Sequence, residues 1–229
     1  MAPKAKKPAP TPAPPASRFA DRIRDGLGVY LDDPASFPAS RIIYFNDDFV
    51  AINDLYPKAS VHALLLPRSR KHNLLHPFEA FEDPEFLASV QKEVIKLKAL
   101  VASELRPILN GDAEPDDTGE LPPGRDWEAD VKIGIHAHPS MNHLHIHVLS
   151  RDMHSPCLHH RKHYNSFNTP FLIDVADFPM AKDDPRWHPG HAGYMKRDLV
   201  CWRCGANFKN QFKKLNDHLN VEFESWKRE

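Results

Sequence analysis

The chain has 229 residues, 41% hydrophobic and 27% charged, with three cysteines and a net charge of −1. This composition is globular: no apolar run is long enough for a bilayer and the start is not a secretory signal. An odd, sparse set of cysteines excludes a disulfide scaffold and points to a reducing compartment. The charge is divided, since residues 111–130 hold eight acids and one arginine, net −7, and leave the remainder at +6, a surface suited to a polyanion.

The opening "MAPKAKKPAPTPAPPASR" is rich in Pro, Ala and Lys and predicts a disordered tail over residues 1–17. Its "KAKK" reads equally well as a nuclear-import signal or as a solubilising run. From Arg18, "RFADRIRDGLGVYL" puts Phe19, Ile23, Leu27 and Tyr30 or Leu31 on one helical face, and "DDPASFP" ends it. "RIIYF" and "FVAIN" flank the turn "NDD" as a hairpin, and "VHALLLP" is a strand stopped by Pro67. Residues 84–106 form the strongest helix, with Pro in the first turn and apolar residues at intervals of three and four. An acidic surface loop follows, then two strands, "VKIGIHA" and "HLHIHVLS", joined by "HPSMN". Strands, a long helix and strands again predict an α+β domain. Residues 151–198 lack periodic signal and predict an extended connection, and the last thirty residues a separate unit.

"HLHIHVLS", residues 143–150, carries the chemistry. With period two, His143, His145 and His147 share one face and Leu144, Ile146 and Val148 the other. Two histidines two apart on a strand can share a metal ion, although Asp152 is then the nearest carboxylate. Packing accounts for one such histidine but poorly for three in register. A neutral imidazole can also attack phosphorus and form a phosphoramidate that water later cleaves.

The C-terminal segment reads Cys-x2-Cys-x13-His-x3-Glu from Cys201. Cys201 and Cys204 on a tight knuckle, with His218 and Glu222 at i and i+4 of one helix, can close a tetrahedron around zinc. Glu222 stands where a zinc finger usually has its second histidine. Cys157 has no such partner in the pattern and reads as a packed thiol.

"HLHIHVL" matches the His-φ-His-φ-His-φ-φ pattern of the histidine-triad nucleotide hydrolases and transferases, and "INDLYPKASVHALLLPR" resembles their nucleotide-binding hairpin. "YPKA", the stretch from Gly134 to Thr169 and the zinc pattern together resemble the aprataxin branch. The resemblance runs from residue 18 to the C-terminus, the acidic loop excepted. It implies an α+β histidine-triad domain over 18–170, with an antiparallel sheet and helices, fused to a connection and zinc-finger DNA-binding module over 171–229.

The implied activity is that of a nuclear DNA 5′-adenylate hydrolase. It would remove AMP from abortive ligation intermediates through a covalent histidine–AMP adduct and restore the 5′-phosphate. His145 becomes the nucleophile; His143 and His147 bind phosphate oxygens and orient it; His136 assists the leaving phosphate. Ser140 holds non-bridging oxygens, Lys58 faces the substrate phosphates, Asp54 binds ribose, and His62 touches the phosphates or supports the triad. DNA contacts fall to Lys162, His163 and Ser166 in "HHRKHYNSFNT", to Arg203 and Lys213 in the zinc unit, and to Phe19 and Ile23 as a wedge at a strand end. One structural zinc per chain and no catalytic metal are expected. The expected partners are DNA with 5′-adenylated ends, nicks or RNA–DNA junctions, with AMP as product; the chain is expected to be a monomer off the membrane. The rivals are a general nucleoside phosphoramidase or dinucleoside polyphosphate hydrolase, and a DNA-end adaptor with a dead site.

Overall fold

The computed structural model describes residues 24–109 and 126–228, so the predicted tail, Phe19, Ile23 and most of the acidic loop lie outside the described residues. A short helix α1 (Gly28–Asp32) leads into the hairpin β1 (Ile42–Phe45) and β2 (Phe49–Asn53), and then β3 (His62–Pro67). Asn46 closes the hairpin turn as expected, its side-chain oxygen accepting from the N–H groups of Asp48 and Phe49 at 3.0 and 2.7 Å. A one-turn α2 (Pro77–Ala80) precedes the long α3 (Pro84–Leu109), whose start Asp83 caps by accepting from the Glu85 and Phe86 N–H groups. There follow β4 (Val131–His136), β5 (Ile146–Ser150), α4 (Arg161–Asn168), β6 (Leu172–Ile173), α5 (Pro189–Ala192) and α6 (Phe212–Trp226).

The strands form one antiparallel sheet in the order β1-β2-β3-β5-β4-β6. Side-chain alternation gives it two unlike faces. Ala63 and Leu65 of β3, Ile146 and Val148 of β5, and Val131 and Ile135 of β4 share a core with Val90, Val94, Leu97, Val101 and Leu105 of α3. The opposite face carries His62, His147 and His136 on three adjacent strands, in the order β3, β5, β4. On that face Leu27, Leu31, Ile52 and Leu64 form a separate apolar cluster.

Three expectations are corrected. The triad strand begins at Ile146, so His143 and His145 precede it. The Leu144 N–H bonds to the Asn73 carbonyl at 2.8 Å and the His145 ring to the His143 carbonyl, which takes this stretch out of the ladder. The supposed extended connection contains α4, β6 and α5. Only Tyr164 and Phe167 bury an apolar face of α4, too few for a visible period; its ends are fixed by His160, which caps the N-terminus, and by Lys132, whose Nζ donates to the Phe167 carbonyl at 3.2 Å. The last thirty residues are not separate either. Leu199, Cys201, Leu215 and Leu219 share a cluster with Leu149, Met153, Tyr164 and Phe167, while Phe223 and Trp226 join the main core. The sheet takes in β6, just past the expected domain boundary at 170.

Candidate active site

A cavity of about 520 Å³ opens on the histidine face. Leu27, Tyr30, Ile52, Leu64 and Met141 make one wall apolar; Asp54, Lys58, His136, Ser140, His145 and His147 make the other polar. Lys162, His163 and Ser166 reach it from α4. This combination suits a nucleotide, with a base on one side and phosphates on the other.

Burial keeps the central imidazoles neutral. It lowers His62 to about 4 and His136 to about 3, and it holds His147 well below the usual histidine value and His145 below it. Neutral rings have defined tautomers, and the hydrogen bonds select them. The Lys58 backbone N–H donates to His62 Nδ1 at 3.0 Å, so the His62 proton sits on Nε2. His62 Nε2 lies 3.0 Å from His147 Nδ1, which therefore accepts. The His147 proton is then on Nε2, a buried atom bonded to no described protein group and left for the cavity. On His145 the order is reversed. Its Nδ1–H donates to the His143 carbonyl at 2.7 Å, leaving a lone pair on Nε2. One backbone amide and one carbonyl thus present a donor at His147 and a nucleophile at His145.

The remaining expected residues divide. His136 lies beside His147, ring centroids 4.4 Å apart, and its Nε2 is a second buried atom with no described partner. Asp54 accepts from the Tyr56 N–H at 2.8 Å and stands 3.6 Å from His62 Nε2. Lys58 donates to the Tyr56 carbonyl, and burial lowers its pKa against the opposing pull of Asp54. The His143 ring is not among the residues lining the cavity; its carbonyl is what serves His145. That ring packs under α1 so closely that a Cβ on Gly28 would lie 2.8 Å from it.

Asp54, His62 and His147 bring their donor atoms within 4.8 Å of one another, a spacing a metal ion uses. The tautomers oppose one. A metal on His62 Nε2 would have to expel its proton while Nδ1 still accepts from Lys58, which requires an imidazolate.

Of the expected DNA contacts, Lys162, His163 and Ser166 are at the cavity and Lys213 is exposed on α6. Arg203 is half-buried, and its guanidinium donates to the Glu222 carboxylate. One residue was missed and another, Asp152, was noticed only as a possible metal-site carboxylate. Phe167 packs edge-on against His62 and His147, centroids 5.4 and 5.0 Å away. Asp152, buried, accepts from the Ser60 N–H at 3.0 Å and from the Ser150 hydroxyl, tying the Lys58 turn to β5. Its place five residues after His147 is visible in sequence, but its partner strand is not.

In the finger, one donor atom from each of Cys201, Cys204, His218 and Glu222 lies within 4.8 Å of the others. His218 Nε2 is 3.2 Å from the Cys204 sulfur and 3.1 Å from a Glu222 oxygen. Two thiolates, an imidazole and a carboxylate gathered this closely fit zinc.

Sheet, cavity and four-donor cluster define a histidine-triad domain joined to a zinc-binding finger. Family models agree: a HIT domain matches residues 38–154 and a C2HE / C2H2 / C2HC zinc-binding finger matches 168–225. An aprataxin-like protein of Schizosaccharomyces pombe is 33% identical over 89% of this chain and 83% of its own, and one of Saccharomyces cerevisiae is 34% identical over 88% and 96%. A solved structure of Hnt3 in complex with DNA and guanosine superimposes with a TM-score of 0.71 at 31% identity, covering 89% of this chain and 97% of Hnt3. The chain belongs to the aprataxin family.

Proposed function

We propose that this chain is a DNA-repair hydrolase that removes AMP from 5′-adenylated DNA. His145 Nε2 attacks the AMP phosphorus with its lone pair. A P–N bond forms, the P–O bond to the DNA 5′-phosphate breaks, and that oxygen leaves with the electron pair. Water then attacks the same phosphorus, the P–N electrons return to His145, and AMP departs, with the water proton released. The His147 Nε2–H and Lys58 offset charge on the non-bridging oxygens, Ser140 adds a hydroxyl, and His136 stands where the leaving phosphate needs a donor. Asp54 faces the ribose, and the apolar wall takes the base. No step uses a metal, and the tautomer conflict at His62 supports that reading.

The observation that carries the proposal is the fixed pair of opposite tautomers at His145 and His147. DNA as the substrate is supported by the Hnt3 complex and by the finger docked beside the cavity; DNA repair in turn favours the nucleus and engagement of nicks or RNA–DNA junctions. The finger is proposed to hold one structural zinc, the chain to act as a monomer, and Lys162, His163, Ser166 and Lys213 to track phosphates. Incubation with a 5′-adenylated nicked duplex tests it: AMP and a ligatable 5′-phosphate are expected. An enzyme that hydrolysed only small adenosine phosphoramidates would return the reading to the general phosphoramidase.

A further inference from the structure

We infer that the Tyr164 hydroxyl couples the zinc knuckle to the catalytic histidines, making Tyr164 a positioning residue for phosphorus chemistry as well as a core side chain. Tyr164 is 1% exposed. Its hydroxyl donates to the Val200 carbonyl at 2.8 Å and accepts from the Trp202 N–H at 3.0 Å. Those two residues flank Cys201, a finger donor. One phenol oxygen therefore holds the backbone on both sides of a metal ligand.

The same short helix carries Phe167 one turn later, packed against His62 and His147, and Ser166 at the cavity. Asn165, between Tyr164 and Ser166, donates from Nδ2 to the Arg197 carbonyl at 2.9 Å, fixing the helix to the chain entering the knuckle. A second route runs from the Trp202 indole, which donates to the Asp152 carbonyl at 3.1 Å, through the Asp152 carboxylate to the Ser60 N–H at 3.0 Å. Ser60 is two residues from Lys58. Both routes start in the knuckle and end on groups that set the His147 tautomer or face the phosphates. Zinc that fixes the knuckle thereby fixes α4 and the Lys58 turn, and buried hydrogen bonds of this kind transmit position because their loss leaves polar atoms unsatisfied.

This inference rests on the proposed deadenylation site. Tyr164→Phe in the full, zinc-loaded chain keeps the ring and removes only the hydroxyl. Zinc content, DNA affinity, and kcat and KM are measured on a 5′-adenylated nicked duplex and on adenosine 5′-phosphoramidate. Zinc content and DNA affinity are expected to hold while kcat falls by about 10-fold on both substrates, a fraction of the ~10²-fold cost of displacing reacting groups by an ångström. A purely structural role lowers the melting temperature but leaves kcat and its split from KM alone. Chelating zinc from the wild type is expected to lower kcat on the phosphoramidate, and in Tyr164→Phe to add little further. Unchanged kcat in the variant, or fully additive losses, overturns the coupling. If the variant does not fold, the chelation arm decides, and undiminished phosphoramidate turnover by the zinc-free wild type overturns it. A wild type that released no AMP from the duplex would instead refute the deadenylation reading itself.

Discussion

The catalytic cavity and the finger both use histidine, and they use it in opposite ways. In the cavity the imidazoles are buried, neutral and oriented by backbone groups, so the working geometry is present in the folded protein before substrate arrives. In the finger, His218 is partly exposed and sits against Cys204 and Glu222, a gathering of donors whose closeness a metal would stabilise. The His145 ring can be removed without unseating His62 or His147, because it is held by the His143 backbone carbonyl. A site ordered by a metal loses its shape with any ligand.

The sharpest way to break this comparison is to remove the nucleophile. His145→Ala is expected to lower AMP release by about 10⁴-fold or more, as when a covalent nucleophile is deleted, with zinc content and DNA affinity nearly unchanged. Steady-state AMP release and a binding titration check it, and substantial turnover would reassign the nucleophile. Next in size are His147→Ala and Lys58→Ala, each expected to cost about 10²-fold in kcat, the scale of one lost preorganised donor. Rates within a few-fold of wild type would make those residues peripheral.

The finger variant moves the other side. Cys201→Ser removes a ligand, and the zinc stoichiometry is expected to fall. DNA affinity is expected to drop by about 10-fold or more, the scale of losing a few phosphate contacts, so that kcat/KM on adenylated DNA falls further than on a small phosphoramidate, whose loss is confined to positioning. Equal losses on both substrates would make the finger only a brace for the catalytic domain, and no loss on DNA would remove it from DNA recognition.

The two regions were also legible in sequence to different degrees. The finger ligands follow from spacing alone, because two residues in a knuckle and two on one helix face are fixed by local geometry. The triad was legible as chemistry but not as structure. Period two implied three histidines on one strand face, whereas the Leu144 N–H leaves the ladder for Asn73, a partner roughly seventy residues upstream that no local pattern encodes. Arg203 has the same limit: beside two cysteines it reads as a DNA contact, and only the fold brings Glu222 to it as well. Helix α4 stayed hidden because its buried apolar face consists of Tyr164 and Phe167 alone. The hairpin and the long helix α3, which depend on short-range turn chemistry and periodicity, appeared as read.

The smallest expected effect is on stability, and it tests whether the cavity histidines are neutral as the tautomers require. An unfolded histidine takes up its proton near pH 6.5, whereas in the fold burial lowers His62 to about 4 and His136 to about 3. Between those values the unfolded chain binds protons that the folded chain does not. The stabilisation is therefore fully present above about pH 6.5 and is lost as pH falls toward 4 for His62 and toward 3 for His136. Lys132, lowered to about 8 by burial, is protonated in both states below about pH 6.5 and leaves the slope there unchanged. The melting temperature is expected to fall progressively from about pH 6.5 to about pH 5, and less steeply in His136→Asn, which removes one of the contributing groups. A flat profile in the wild type, or an undiminished slope in the variant, would mean that these rings accept protons in the folded state. The fixed donor at His147 and the fixed lone pair at His145 would then no longer follow from the hydrogen bonds that surround them.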